Sequence, residues 1–507
     1  MSSTLAREAN PPQQDTAAGR AALRSADRQH RHRWLILAVI AMAQLMVVLD
    51  ATIVNIALPS AQADLGFSNG DRQWVVTAYS LAFGSLLLIG GRIADLIGRK
   101  RALIISLVGF AGASALAGAA SSFEILVAGR ALQGAFGALL APTALSLLTT
   151  TFTDAKERAK AFGIYGAVAG AGGGVGLLLG GFLTEHLDWR WTLYVNLIFA
   201  AVALAGALAF LPQQGRDKSV KIDVPGTITV TAGLFALVYG FSNAEHHGWS
   251  AVGTWGLLAA GAVLIAVFVW LQTRVEHPLL PLRILRDRDR GAASIAMFVA
   301  AAGMFGVNLF LTYYLQQILG YSPMETGLAF LPMIIVVMIA STLATIVLAP
   351  RVGPKPIVPL GMALSAVGLM WMTGLDGDST YLAHVMPPLL VFALGLGLVM
   401  SLAMSTATAG IDAADAGVGS ASVNTMQQIG GSIGTALLST LAASAATDYL
   451  AGRAPTPDVV TRSALESYST AYMWSAIFFA IGAIVCGLMF RRGATKQDDD
   501  AAPTVHM

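Results

Sequence analysis

Long apolar runs recur along the whole chain and limit what it can fold into. Fourteen stretches of about 17 to 25 residues are each long enough to cross a bilayer as a helix. They lie near residues 34–58, 73–91, 102–120, 124–149, 161–184, 191–211, 225–243, 253–273, 291–315, 326–349, 356–375, 384–408, 424–447 and 470–490. Because 55% of the residues are hydrophobic and 12% are charged, the sequence predicts an all-α polytopic membrane protein rather than a soluble enzyme.

Lysine and arginine are distributed unevenly between the two ends of these spans. If the N-terminus lies inside, 26 of the 31 basic residues fall in inner segments, 4 fall in outer loops, and Arg130 lies within a span. Cytoplasmic loops carry the excess of basic residues, so both termini are predicted to be cytoplasmic. The first apolar run is too long for the core of a signal peptide and is interpreted as a retained helix.

The order of the runs divides the chain into units. After spans two and ten, Gly98 and Lys100 match Gly353 and Lys355, which indicates a displaced repeat of six helices. We predict a disordered cytoplasmic arm, an N-terminal six-helix bundle, two inserted helices with a cytoplasmic interfacial linker, a C-terminal six-helix bundle and a cytoplasmic tail. Their boundaries are 1–33, 34–211, 212–290, 291–490 and 491–507.

Asp50 lies deep in the first run, where a carboxylate costs a few kcal/mol unless it is paired, hydrated or protonated. Span one runs outward and span four runs inward, which places Asp50 and Arg130 roughly 12 Å and 9 Å below the same surface. Their similar depth predicts an ion pair in a water-lined cavity. Burial opposes the charge of Asp50 and the guanidinium favours it, so substrate or water can switch the site. Alternatively, Asp50 is structural and holds a kink or the arginine in place.

Further polar residues are candidates for substrate binding. Gln133 lies one turn from Arg130 and faces the arginine or a substrate; the alternative is a hydrogen bond that joins helices. Phe305, Asn308 and Thr312 share one face of span nine and form, with Tyr313, a candidate wall for a hydrophobic ligand. The tyrosine could instead belong to the interfacial aromatic belt. Since no acidic residue lies deep in the spans between 291 and 408, a cationic substrate would have to reach Asp50 or bind to aromatic rings.

Several segments together resemble the Major Facilitator Superfamily, and more narrowly its fourteen-span drug:proton antiporter branch. They are LDATIVNIALP (49–59), GRIADLIGRK (91–100), RALQGAFGA (130–138) and the glycine-rich run 163–181 that is followed by WRW (189–191). The resemblance covers residues 34–490 and implies two six-helix bundles with two extra central helices. It also implies export driven by inward proton movement, with Asp50 and Arg130 in proton coupling. We expect multidrug efflux and antibiotic resistance, in a bacterial cytoplasmic (inner) membrane.

The same resemblance suggests gating elements and shows two departures. The loop motif usually has a basic residue where this chain has Leu96, and the fifth span usually has prolines where this chain has Gly173 and Leu177. The loop is interpreted as a latch between the halves, or alternatively as a tight turn; its residues are Gly91, Asp95, Gly98 and Arg99. The fifth span is interpreted as a hinge or seal, or alternatively as close helix packing; its glycines are Gly170, Gly174, Gly180 and Gly181.

Other classes of function fit the sequence less well. No nucleophile and base pair is evident, so no enzymatic activity is expected, and no G-x-x-x-x-G-K-[ST] motif indicates ATP-driven transport. We expect a monomer that contacts membrane lipid, protons and a small hydrophobic or cationic substrate, with no nucleic acid, no metal and no cofactor besides the proton gradient. The alternatives are a dedicated exporter of an endogenous lipid or secondary metabolite in self-resistance and, more remotely, a non-transporting membrane sensor or scaffold.

Overall fold

The structure is a computed structural model that describes residues 17–491, apart from 69, 153, 213–222, 277, 281, 283–285, 409–415 and 455. Within these residues all regular structure is helical. Thirteen of the described helices are long and apolar enough to cross a membrane, and a further helix, bent by 60° between Leu87 and Ile89, is the fourteenth. The predicted number of spans and the predicted fold class are confirmed.

The first eight helices comprise the N-terminal six and the inserted pair. Their bounds are α1 Ala17–Leu65, α2 Gln73–Ile97, α3 Arg99–Gly118, α4 Phe123–Thr151, α5 Ala155–His186, α6 Trp191–Phe210, α7 Val224–His247 and α8 Val252–Leu271. We refer below to the α1–α2 end of the molecule, where α1 ends and α2 begins. The sequence predicts that this end faces the outside.

The last six helices follow the linker. They are α9 Arg288–Tyr313, α10 Pro323–Thr342, α11 Pro354–Met372, α12 Met386–Thr408, α13 Ala416–Leu450 and α14 Pro457–Met489. Turns of π-helix continue α9 over Tyr314–Ile318 and α10 over Leu343–Leu348, and another precedes α12 over Tyr381–Val385. Each helix therefore coincides with one predicted span; most helices begin a few residues before the apolar run, and several end before it does.

The N-terminal arm differs from its prediction. Helix α1 begins at Ala17, within the arm 1–33 that the sequence predicts to be disordered. Alanine and arginine, which are frequent in this segment, have high helix propensity and allow the first span to continue beyond the bilayer. Residues 1–16, most of the predicted tail and part of the predicted interfacial linker lie outside the described residues.

The repeated loop pattern corresponds to repeated backbone geometry. Gly98 separates α2 from α3 with φ at 93°, and Gly353 separates the end of α10 from α11 with φ at 73°. Both values lie in the region that residues with a Cβ rarely adopt, so the glycines permit sharp turns between consecutive helices. The two glycines that match in the sequence thus have similar backbone geometry, while the repeat of six helices stays a prediction.

Buried side chains define how the helices are grouped. One apolar core takes all of its buried members from residues 36–211, while a larger core combines α9–α14 with residues of α1–α6, many of them near the α1–α2 end. The inserted helix α7 lies against both groups. Trp74 Nε1 of α2 donates to Ser242 Oγ of α7 at 3.0 Å, and Thr440 Oγ1 of α13 donates to the carbonyl oxygen of Phe241 at 2.9 Å.

Candidate functional site

An ion pair lies in the interior of the N-terminal group of helices. Asp50 of α1 and Arg130 of α4 are 0% and 1% exposed, and Arg130 Nη1 lies 2.6 Å from Asp50 Oδ2. The ion pair predicted from their similar depth is thus present, but both side chains are buried and do not line a water-filled cavity in this conformation. Both groups come from otherwise apolar helices, where an unpaired charge would be strongly destabilising.

Two amide side chains complete the hydrogen bonding of the carboxylate. Gln133 Nε2 and Asn196 Nδ2 donate to Asp50 Oδ1 at 2.8 and 2.7 Å. Since Arg130 Nη1 donates to Oδ2, the carboxylate accepts from three donors on two helices. Both carboxylate oxygens are therefore hydrogen-bonded inside an otherwise apolar group of helices.

A serine and a backbone carbonyl extend this network to two further helices. Ser114 Oγ of α3 accepts from Gln133 Nε2 at 2.7 Å and from Asn196 Nδ2 at 3.4 Å. Arg130 Nε donates to the carbonyl oxygen of Val75 at 3.0 Å, and its guanidinium lies 4.5 Å from the ring centre of Tyr79. The site therefore joins α1, α2, α3, α4 and α6.

Gln133 was predicted to face either the arginine or a substrate. In this structure it is fully buried, and its Oε1 accepts from Arg130 Nη1 at 2.8 Å. Sequence reasoning missed Ser114 and Asn196. Asn196 carried a usable signal, because a single amide within the apolar stretch LYVNLIFAAV of α6 requires a polar partner in the membrane.

The predicted ligand wall on α9 is divided in the structure. Phe305 and Asn308 are partly exposed, whereas Thr312 and Tyr313 are buried. Thr312 Oγ1 donates to the carbonyl oxygen of Asn308 at 2.6 Å, and Tyr313 Oη donates to Gln62 Oε1 of α1 at 2.6 Å. In this conformation Phe305 and Asn308 are accessible, while Tyr313 joins the two groups of helices.

Several contacts between the two groups cluster at the α1–α2 end, and we call them the seam. Arg72 is 6% exposed, and its guanidinium lies 4.1 Å from the ring centre of Tyr313 and 5.6 Å from that of Phe310. The seam also includes Gln316 Nε2 to the carbonyl oxygen of Ile56 at 3.1 Å and the backbone N of Met324 to Glu185 Oε2 at 3.0 Å. The molecule is therefore closed at the α1–α2 end.

The glycines of α5 allow this helix to approach its neighbours closely. A Cβ at Gly180 would lie 2.8 Å from the carbonyl oxygen of Ile53, three residues after Asp50. A Cβ at Gly181 would lie 2.6 Å from the carbonyl oxygen of Pro323, at the seam, whereas Gly174 has its nearest neighbour, Ile334 Cδ1, at 3.5 Å. The surroundings of Gly170 lie outside the described residues.

The predicted latch lies at the opposite end of α2. Arg99 Nη2 is 3.4 Å from Asp95 Oδ1, an ion pair that stays within the turn between α2 and α3. Gly91 packs near Pro142 Cβ of α4, and Arg92 Nη2 donates to the carbonyl oxygen of Pro278 in the linker at 2.9 Å. In this conformation the motif joins elements of the N-terminal half and the linker.

A buried ion pair inside fourteen helices, in two groups that meet at a seam, defines a polytopic membrane protein of the secondary-transporter class. Among the described residues no group of three or more His, Cys, Asp or Glu side chains could hold a metal ion. A sequence model of the Major Facilitator Superfamily matches residues 40–435, and the chain belongs to this family. The chain is thus a transporter and not an enzyme.

Individual relatives agree with this assignment. The chain is 46% identical over 456 residues to a puromycin resistance protein of Streptomyces alboniger, covering 89% of each chain. It is 33% identical to the multidrug efflux pump LfrA of Mycolicibacterium smegmatis, covering 82% of each. A bacterial homologue of the human lysosomal transporter Spinster, solved in an inward-facing conformation, has a TM-score of 0.62 and 16% identity and covers 90% of this chain and 97% of that one. This last likeness concerns the fold alone.

Proposed function

We propose that this transporter exports amphipathic or hydrophobic antibiotics and related compounds across the bacterial cytoplasmic membrane in exchange for protons. Efflux is supported by the relatives, which are named for antibiotic resistance and multidrug efflux. Proton coupling is supported chiefly by Asp50, a fully buried carboxylate whose cationic partner lies 2.6 Å away. An intramembrane carboxylate that pairs with arginine can exist charged or neutral, and the two forms favour different surroundings.

The coupling cycle uses the bonds of Arg130. A proton from outside neutralises Asp50 and weakens its attraction to the guanidinium. Arg130 also holds the carbonyl of Val75 in the first turn of α2, and Arg72, one turn earlier, packs on Tyr313 of the seam. Protonation of Asp50 therefore changes how Arg130 holds the first turn of α2, and through it the packing of Arg72 at the seam. In this proposed cycle, the conformation with the ion pair formed and the seam closed corresponds to the inward-facing state that has released its proton and loads substrate.

The substrate site is proposed to lie between the two groups of helices, toward Phe305 and Asn308. The amide oxygen of Asn308 is buried and has no hydrogen-bond partner among the described residues, so a ligand's donor that reaches it when the site opens would satisfy it. An aromatic ring and an amide suit an amphipathic compound that needs no fixed counter-charge. A cationic substrate would compete with the proton for Asp50.

A second candidate is a dedicated exporter of a single antibiotic or endogenous metabolite, which serves self-resistance. The relative with 46% identity is named for resistance to one compound, whereas the multidrug pump has 33% identity. This difference favours a narrow range of substrates. The transport machinery would be the same in either case.

Transport by inverted membrane vesicles tests both candidates. Accumulation of a panel of dyes and antibiotics, including puromycin, is measured with an imposed proton gradient and again after a protonophore collapses it. The proposal predicts accumulation that the protonophore abolishes. Accumulation that persists without the gradient would contradict proton coupling, and uptake of a single compound in the panel would favour the dedicated exporter.

A further inference from the structure

Asn196 hydrogen-bonds to Asp50 but is not part of the ion pair, so its role in the network is a separate question. Its Nδ2 donates to Asp50 Oδ1 at 2.7 Å, while its Oδ1 is buried and has no hydrogen-bond partner among the described residues. An unpartnered buried amide oxygen costs free energy, so its position next to a carboxylate requires an explanation.

The orientation of both amides follows from their partners. Arg130 can only donate, so the group of Gln133 that it contacts must be the oxygen, and Gln133 Nε2 then faces Asp50. Asn196 has no such restraint, because its oxygen lacks a partner. Its amide can therefore rotate by half a turn, whereas that of Gln133 is fixed while Arg130 stays in place.

We propose that Asn196 is a positioning residue that serves both protonation states of Asp50. When the carboxylate is ionised, Asn196 Nδ2 donates to it. When Asp50 carries a proton, the rotated amide presents Oδ1 as the acceptor for the carboxyl O–H. The Ser114 hydroxyl, which can both accept and donate, accepts from Asn196 Nδ2 in the first arrangement and donates to Asn196 Oδ1 in the second. The inference rests on the proposed proton coupling.

Few other groups can influence the same proton. Among the described residues that contact Asp50, Arg130 of α4 is the charged group, and Tyr79 of α2 is the titratable group nearest to the pair. The helix α6 contributes Asn196 and α3 contributes Ser114, both neutral, while α5 faces this part of α1 with glycines. A change at Asn196 therefore acts on Asp50 without altering a second charge.

The test combines transport with a direct measurement of protonation. Wild type, Asn196→Leu and Ser114→Ala are compared in proteoliposomes across a range of pH, and the carbonyl stretch of the protonated carboxyl group is titrated by infrared spectroscopy on the same samples. The Asp50→Asn variant identifies the band. The matched controls are Asn55→Leu in α1 and Ser106→Ala in α3. Both residues are buried, and in the described hydrogen bonds their side chains bond only to backbone atoms.

In Asn196→Leu, we expect the midpoint of the infrared titration and that of the transport profile to move upward by about one pH unit. The reason is that a bond to a charged carboxylate is roughly twice as strong as one to the neutral form. Ser114→Ala should move both midpoints in the same direction by less, and the controls should leave them in place. Rotation of the amide also predicts that the carbonyl band of protonated Asp50 changes frequency in Asn196→Leu, where the carboxyl O–H has lost its acceptor, and keeps its frequency in the controls. An unchanged band frequency in Asn196→Leu would overturn the proposal, because donation to the ionised carboxylate alone is enough to move the midpoint. If transport by the wild type does not depend on pH, proton coupling is contradicted, while the infrared measurement still decides the role of Asn196.

Discussion

Removing one partner of the buried pair gives a prediction with a large expected magnitude. In Arg130→Met, Asp50 keeps the donors Gln133 and Asn196 but loses its counter-charge in a fully buried position. Breaking a buried pair in this way costs about 3–5 kcal/mol, whereas replacing both charges by neutral groups is often close to neutral. We therefore expect Arg130→Met to be strongly destabilised and Asp50→Asn/Arg130→Met to recover at least about 2 kcal/mol of that loss.

The assay is unfolding by a denaturing detergent, followed through the fluorescence of the nine tryptophans. A matched control is Arg462→Met, because Arg462 and Asp458 form an ion pair at 3.2 Å in which the two side chains are 63% and 74% exposed. Such exposed pairs contribute at most about 1 kcal/mol. The reasoning is refuted if Arg130→Met costs no more than Arg462→Met, or if the double variant loses the sum of the two single losses. The double variant should be folded and unable to couple transport to protons.

Three further predictions concern the seam and a loop. Gly181→Val places side-chain atoms against the carbonyl of Pro323, which a Cβ would approach to 2.6 Å, so the seam should open and hydrogen exchange in α5 and α10 should rise. Tyr313→Phe removes the hydroxyl that donates to Gln62, a bond worth about 1 kcal/mol, and should favour the outward-open state in measurements of distances between spin labels across the seam. The Ser379 hydroxyl donates to Asp376 and holds the pKa of this carboxyl below its usual range. The hydrogen bond therefore stabilises the α11–α12 loop fully above the ordinary aspartate pKa, and this stabilisation is lost as the pH falls through the lowered pKa. Ser379→Ala should therefore reduce the acid-dependent part of the hydrogen exchange of this loop.

The sequence predicts the pairing at the site for a simple physical reason. Counting residues from the ends of α1 and α4 gives the depth of Asp50 and Arg130, and two opposite charges at similar depth in a membrane are strongly stabilised by pairing. Asn196 and Ser114 were not found, because depth alone does not fix the rotation of a helix about its axis. That rotation depends on the packing of all the neighbouring helices.

The fold is predictable to a similar extent. The apolar runs give the number and order of the helices, and the matching glycines Gly98 and Gly353 indicate the repeat. The extension of α1 to Ala17 runs through a polar segment, where apolar runs carry no information. The position of Tyr313 depends on which end of the molecule is closed, and a single sequence encodes both conformations of a transporter.

The central claim is that Asp50 carries the proton that drives export. The most direct measurement compares wild type with Asp50→Asn in proteoliposomes under an imposed pH gradient, recording substrate accumulation and proton flux together. We predict that wild type accumulates substrate against its gradient with a counterflow of protons, whereas Asp50→Asn only equilibrates substrate down its gradient and moves no protons. Uphill accumulation by Asp50→Asn at the wild-type rate would contradict the account.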